Sequence, residues 1–174
     1  MKKLRGIITW AVWIAGAVAL AFFVNRFVVI NAKVVSGSME STIMTGDRVV
    51  GNRMSYLFGE PKRFDVVALL WPDNPDEVPF VKRIIGLPGE TVEIVEGRIY
   101  INGNEMPLDE SFFLTEEMVG CYGPYYVEDG TYFVLGDNRN RSSDSRDWEI
   151  TFVPLGNILG KVILRLYPAL HIIQ

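Results

Sequence analysis

Val34-Val35-Ser36-Gly37-Ser38-Met39-Glu40-Ser41-Thr42-Ile43 is the stretch at which the pattern of this chain turns over. The β-branched residues leading into it, Val28-Val29-Ile30 and Val34-Val35, read as strand. Ser36-Gly37-Ser38 reads as a turn, and Met39 and Ile43 return the chain to apolar surroundings. Such a turn lifts a hydroxyl out of a sheet beside backbone N–H groups that no ladder uses. A nucleophilic serine and its oxyanion hole require that arrangement. Ser/Gly turns between strands are commonplace, so the assignment depends on finding a base elsewhere.

Downstream the pattern stays β. Arg48 to Arg53, Phe64 to Leu70, Phe80 to Ile85, Thr91 to Val95, Arg98 to Ile101 and Thr131 to Leu135 are short runs of β-branched and aromatic residues separated by turn signals. Glu96-Gly97 and Asn102-Gly103 are expected to close tight hairpins. Leu69 to Val81 and Met118 to Val127 read as loops, the second because of Gly120, Gly123 and Pro124. Helical periodicity is confined to the amino-terminal segment, apart from a possible turn at Met54 to Phe58.

Upstream, Ile7 to Val24 carries no charge and includes Trp10, Trp13, Phe22 and Phe23. At about 1.5 Å per residue this run spans about 27 Å, close to a bilayer core, and predicts one transmembrane helix. Lys2, Lys3 and Arg5 precede it, and only Arg26 and Lys33 follow closely. The positive-inside rule then places the amino terminus in the cytoplasm and the remainder outside. The competing reading is a cleaved secretory signal, because Ala17-Val-Ala19 and Ala19-Leu-Ala21 offer small residues at cleavage spacing. The continuous apolar run through Phe27-Val28-Val29-Ile30 favours an uncleaved anchor. The expected division is residues 1–27 for the anchor and 28–174 for a single β domain.

Composition removes several alternatives. The net charge is -4 with no basic patch, so nucleic acid is not an expected partner. One cysteine, Cys121, excludes a disulfide framework and a Cys-rich metal site. The one histidine, His171, lies in the apolar tail Pro168 to Gln174, which argues against a Ser/His/Asp triad or a His-ligated metal. No metal or cofactor is expected. A serine enzyme built on this chain needs another base.

Lys82 is the candidate. Strand alternation puts Phe80, Lys82 and Ile84 on one face, and a lysine among apolar neighbours loses hydration, which lowers its pKa. The alternative is a lysine that snorkels to the sheet edge. A third stretch, Gly136-Asp137-Asn138-Arg139-Asn140-Arg141-Ser142-Ser143-Asp144-Ser145-Arg146, follows a hydrophobic strand and is dense in hydrogen-bonding groups. Asp144 and Arg146 are spaced for a charge-assisted pair, and Ser142 is placed to orient an amine.

Together, Ser36-Gly-Ser38-Met39, Gly46-Asp47-Arg48, Lys82-Arg83-Ile84-Ile85-Gly86-Leu87-Pro88-Gly89 and Gly136-Asp137-Asn138 through Arg146 resemble the ordered sequence boxes of bacterial type I signal peptidases. The likeness extends over essentially the whole chain, with size and cysteine content closer to the small single-anchor form of Gram-positive bacteria. It implies a mainly β domain of two antiparallel sheets behind a membrane anchor, in the bacterial plasma membrane. Ser38 would be the nucleophile and Lys82 the general base. Ser36 would contribute to the oxyanion hole, Ser142 would hold the lysine amine, and Asp144 and Arg146 would form a supporting ion pair. Val34, Met39, Ile43, Phe80 and Val81 would shape apolar pockets for small residues at positions -1 and -3 of a signal peptide. The implied partners are signal peptides of secreted preproteins and the lipid bilayer, with a monomer expected.

Three departures accompany the likeness. Ser41 stands where the family usually has proline, the segment from Asp147 to Pro154 lacks the usual glycine, and Asn102 to Tyr132 is compact. Two alternative functions remain at this level: an inactive membrane-tethered binding module, and a self-cleaving repressor-type Ser/Lys peptidase.

Overall fold

The structure is a computed structural model that describes residues 2–73 and 78–173. The uncharged amino-terminal run forms a helix, α1 (Lys2–Phe23), continued by one wide helical turn over Val24–Val28. Ile8–Val28 is long and apolar enough to cross a membrane, and its side chains up to Phe27 are all exposed. A helix that is apolar on every side and packs against no protein core has lipid as its natural surroundings. At Val29 the backbone becomes extended and the β region begins.

Eleven strands follow among the described residues: β1 (Val29–Lys33), β2 (Arg48–Asn52), β3 (Val66–Leu69), β4 (Phe80–Gly86), β5 (Thr91–Val95), β6 (Arg98–Ile101), β7 (Tyr122–Tyr126), β8 (Thr131–Leu135), β9 (Val153–Pro154), β10 (Ile158–Tyr167) and β11 (His171–Ile172). All ladders are antiparallel. The larger sheet runs β1-β2-β10-β3-β4-β8-β9, with β11 paired to β10; the smaller runs β6-β5-β7. The fold is mainly β with two antiparallel sheets, as the sequence implied.

Three expectations are corrected. The sequence reading leaves out β10, which lies between β2 and β3 in the larger sheet. Its alternation is broken by register shifts along both ladders, and Gly160 brings the backbone against Asn52, where a Cβ would lie 2.3 Å from the carbonyl oxygen. The stretch read as a loop at Met118 to Val127 contains β7. As an edge strand it tolerates Pro124, which has no N–H to offer a second neighbour. Glu96-Gly97 does close the β5–β6 hairpin, both residues having positive φ. Asn102-Gly103 closes none, because β6 pairs only with β5; the Asn102 side chain instead accepts from the Thr91 amide at 2.8 Å. The helical turn expected near Met54 is present at Arg53–Tyr56, capped by Asn52.

Three buried clusters fix how these elements meet. Ile85, Val92, Ile94, Ile99 and Phe133 join the small sheet to the large one. Val67, Leu69, Ile84, Val134 and Trp148 fill the second cluster, with Phe80 packed against it. Met39 and Ile43 lie in the third, among Ile30, Val49, Val66 and Val162.

Candidate active site

The segment between β1 and β2 is a closed loop. Its base is tied by Val34 N–H to the Asp47 carbonyl at 2.9 Å and Gly46 N–H to the Val34 carbonyl at 2.9 Å. Within it, Ile43 N–H donates to the Met39 carbonyl at 2.8 Å, forming one helical turn whose first and last side chains are both buried. Burying Met39 and Ile43 one turn apart pins the loop to the core. Ser38, just before this turn, is held by Asn138, whose backbone N–H donates to the Ser38 carbonyl at 3.1 Å and whose side chain donates to the Gly37 carbonyl at 3.0 Å. The Ser38 amide donates to nothing among the described residues. Ser36 Oγ lies 3.5 Å from Ser38 Oγ.

Lys82 stands on β4 opposite Val67 of β3 and is 1% exposed. Its Nζ donates to Ser142 Oγ at 3.0 Å. Burial lowers its pKa to about 8, with Arg146 acting in the same direction and Asp144, Asp137 and Asp147 opposing it. About half the amine is therefore neutral near pH 8. Ser36, Ser38, Lys82 and Phe80 line one cleft of about 460 Å³. Lys82 makes no hydrogen bond to Ser38 in this structure, a separation common in unliganded sites.

The segment after β8 closes the site from behind. Asp144 forms a bidentate pair with Arg146 at 2.8 and 2.9 Å, and one of its oxygens accepts from the Gly136 amide at 3.0 Å. Gly136 must be glycine, because a Cβ there would lie 2.2 Å from Ser142 Oγ and 2.4 Å from the Ser38 carbonyl oxygen. The segment from Asp147 is anchored by Trp148, whose ring stacks on Trp71 at 5.5 Å and meets Phe80 at 6.0 Å.

Several contributors carry no assigned role in the sequence reading. Arg83, on the opposite face of β4 from Lys82, makes a fully buried bidentate pair with Asp137 at 2.8 and 2.7 Å. Thr42 donates to the same carboxylate at 2.5 Å, so the pair links β4, the nucleophile turn and the 136–146 segment. Arg139 is similarly clamped by Glu110. Asn138 and Gly136 are also positioning residues. All but Glu110 lie in the stretches already quoted, which is the signal that pointed toward them.

Of the residues expected to form substrate pockets, Phe80 lines the cleft. Val34 and Val81 are half-buried against the cluster that contains Met39 and Ile43. Those last two sit beneath the surface, so their reach toward a ligand is through the shape of the residues above them. Ser41 Oγ donates to the Phe113 carbonyl at 2.9 Å, a tether at the position where proline was expected. Among the described residues no cluster of His, Cys, Asp and Glu is arranged to hold a metal ion.

The family described as signal peptidase, peptidase S26, matches residues 7–167. A probable signal peptidase I-2 of Synechocystis is 38% identical over 160 residues, covering 87% of this chain and 69% of that protein. Signal peptidase I S of Bacillus subtilis is 38% identical over 157 residues, covering 84% and 82%. A crystal structure of a signal peptidase I from Enterococcus faecalis shares 36% identity over 59% of this chain and 96% of that one, with a TM-score of 0.49. On the extent of the family match and the identity to full-length relatives, the chain belongs to the signal peptidase family of S26 peptidases.

Proposed function

We propose that this chain is a membrane-anchored serine endopeptidase that removes signal peptides from exported preproteins, cutting after small residues at -3 and -1. The observation that carries the reading is Lys82. A buried amine with its pKa lowered to about 8, oriented by Ser142 and sharing a cleft with Ser38, is a general base prepared at low proton cost.

Ser38 Oγ attacks the scissile carbonyl while Lys82 Nζ takes its proton. The carbonyl oxygen gains the negative charge and meets the unused Ser38 amide and the Ser36 hydroxyl. Lys82, now an ammonium, returns the proton to the leaving amine as the C–N bond breaks, giving an acyl-enzyme on Ser38. Water, deprotonated by the same lysine, hydrolyses that ester. Asp144 and Arg146 act through others: they hold the Gly136 and Ser142 backbone in place.

Substrate selection rests on Phe80, Val34 and Val81, shaped from below by Met39 and Ile43, which leave room for small side chains. The charge asymmetry around α1 supports a cytoplasmic amino terminus with residues 28–174 as an extracytoplasmic domain.

The test is incubation of the full chain in detergent with a preprotein bearing Ala-x-Ala, followed by mass spectrometry of the products. Cleavage after the -1 alanine, its loss in Ser38→Ala with an unchanged circular dichroism spectrum, and refusal of leucine at -1 are expected. No cleavage of any such substrate would leave a binding module, and residual activity above a few per cent in Ser38→Ala would remove that serine as nucleophile.

A further inference from the structure

On the far side of the nucleophile turn lies a second cavity of about 450 Å³ that shares no lining residue with the catalytic cleft. Its walls come from Ser41 and Thr42, from Phe112, Phe113 and Thr115, and from the β10–β11 hairpin. Two side chains able to donate hydrogen bonds stand side by side on one of its walls. Arg165 and His171 are direct partners in the β10–β11 ladder, so they share a face of the sheet, and both line the cavity. The hairpin is fixed in place by Ile173, which is 5% exposed and donates its amide to the Ile163 carbonyl at 3.0 Å.

Arg165 is poorly provided for. Its side chain is 20% exposed and its one ion pair among the described residues, to Asp47, is at 3.5 Å, the limit of a hydrogen bond. That Asp47 oxygen already accepts the Met44 amide at 2.9 Å. Arg165 Nε is buried with no acceptor among the described residues. The part of the guanidinium that a ligand can reach is its terminal edge, which has only that 3.5 Å contact among the described residues and so has donors to offer an acceptor from outside the chain. No carboxylate lines the cavity among the described residues; Arg83, which also reaches it, is neutralised from behind by Asp137.

We propose that this cavity is a phosphate-binding site, in which Arg165, His171 and the Thr115 hydroxyl converge on one oxyanion. Donors arriving from two strands and a loop surround a tetrahedral group better than a planar one, and an arginine fork matches two of its oxygens. The phosphate has two chemical sources, a free phosphate or the headgroup of an anionic lipid. Phe112 and Ile172, exposed on the cavity walls, suit an apolar stem beyond the phosphate. This inference is independent of the catalytic assignment.

The test follows the Arg165 Nε–H and His171 ring resonances of the isotope-labelled full chain in neutral detergent during titration with inorganic phosphate, against chloride at matched ionic strength. Saturable shifts with phosphate only, with affinity weakened about tenfold or more in Arg165→Gln and in His171→Gln, are expected. Reconstitution into phosphatidylglycerol discs against phosphatidylcholine discs separates the sources. The same shifts in phosphatidylglycerol, competed by phosphate, support a headgroup; shifts with phosphate alone support a free ligand. Shifts that do not saturate, or that match in chloride, overturn the proposal and leave the arginine served by solvent. Should Arg165→Gln lose its folded spectrum, His171→Gln, at an exposed position, carries the same comparison.

Discussion

A lysine with 1% of its surface exposed must either find a carboxylate or release its proton near neutral pH, and Lys82 is paired with a hydroxyl. Its pKa of about 8 lies below the value of an unfolded lysine, so keeping it charged costs the folded state about 3 kcal/mol at neutral pH. Between about 8 and 10.5 the folded state binds fewer protons than the unfolded one, and this contribution to stability rises with pH through that window. Lys82→Met, similar in length and uncharged, should abolish cleavage, raise stability at pH 7 and flatten that rise. Denaturant melts at pH 7 and pH 10 check the sign, and an activity limb near 10.4 would contradict a buried base. Ser36 is the second residue whose role turns on one atom. If its hydroxyl completes the oxyanion hole, Ser36→Ala should lower kcat by about 10²-fold with KM little changed. A loss under about threefold would leave the backbone amide as the whole hole.

At the scale of elements, the proposed catalysis depends on how closely three segments approach. The loop between β1 and β2 supplies Ser38, β4 supplies Lys82, and the segment after β8 supplies Ser142, with Gly136 wedged where the first and third meet. Gly136→Ala should therefore push Ser142 and the Ser38 carbonyl apart. A displacement of about 1 Å in such a site costs about 10²-fold. The expected result is a fall of that size in kcat with the cooperative melt retained. Normal turnover in a folded Gly136→Ala protein would show that the approach is not limiting. The face of β4 opposite Lys82 explains why the approach is reproducible: Arg83, Asp137 and Thr42 bind the same three segments together through a fully buried ion pair.

For the whole molecule, the amino-terminal helix joins the β region through the wide turn over Val24–Val28, which touches β1 and the turn at Arg53–Tyr56. Side chains of the helix are exposed along its described length, whereas Ile30, two residues into β1, is already core. Deleting residues 1–26 should leave a folded domain that cuts short soluble peptides within severalfold of the full chain and no longer partitions into vesicles. Loss of the cooperative melt on that deletion would mean that the helix supports the fold. Ser38, Lys82, Ser142, Asp144 and Arg146 were legible as candidates because each lies in a short stretch whose residue types suit one chemistry, and seven of the strands and the apolar helix were legible from local pattern. Residues 158–167 were not, because bulges in β10 break the two-residue period on which strand reading depends. Nor were the partners of Arg83, Arg139 and Arg165, which lie 54, 29 and 118 positions away along the chain. Sequence by itself determined the helix, the β class and the candidacy of the serine and lysine, since those follow from neighbouring residues. Only the tertiary structure decided that the lysine is dry, that its amine meets Ser142, and that Arg165 and His171 share a wall of one cavity, because burial and the assembly of such a wall belong to the packed chain and to no segment of it.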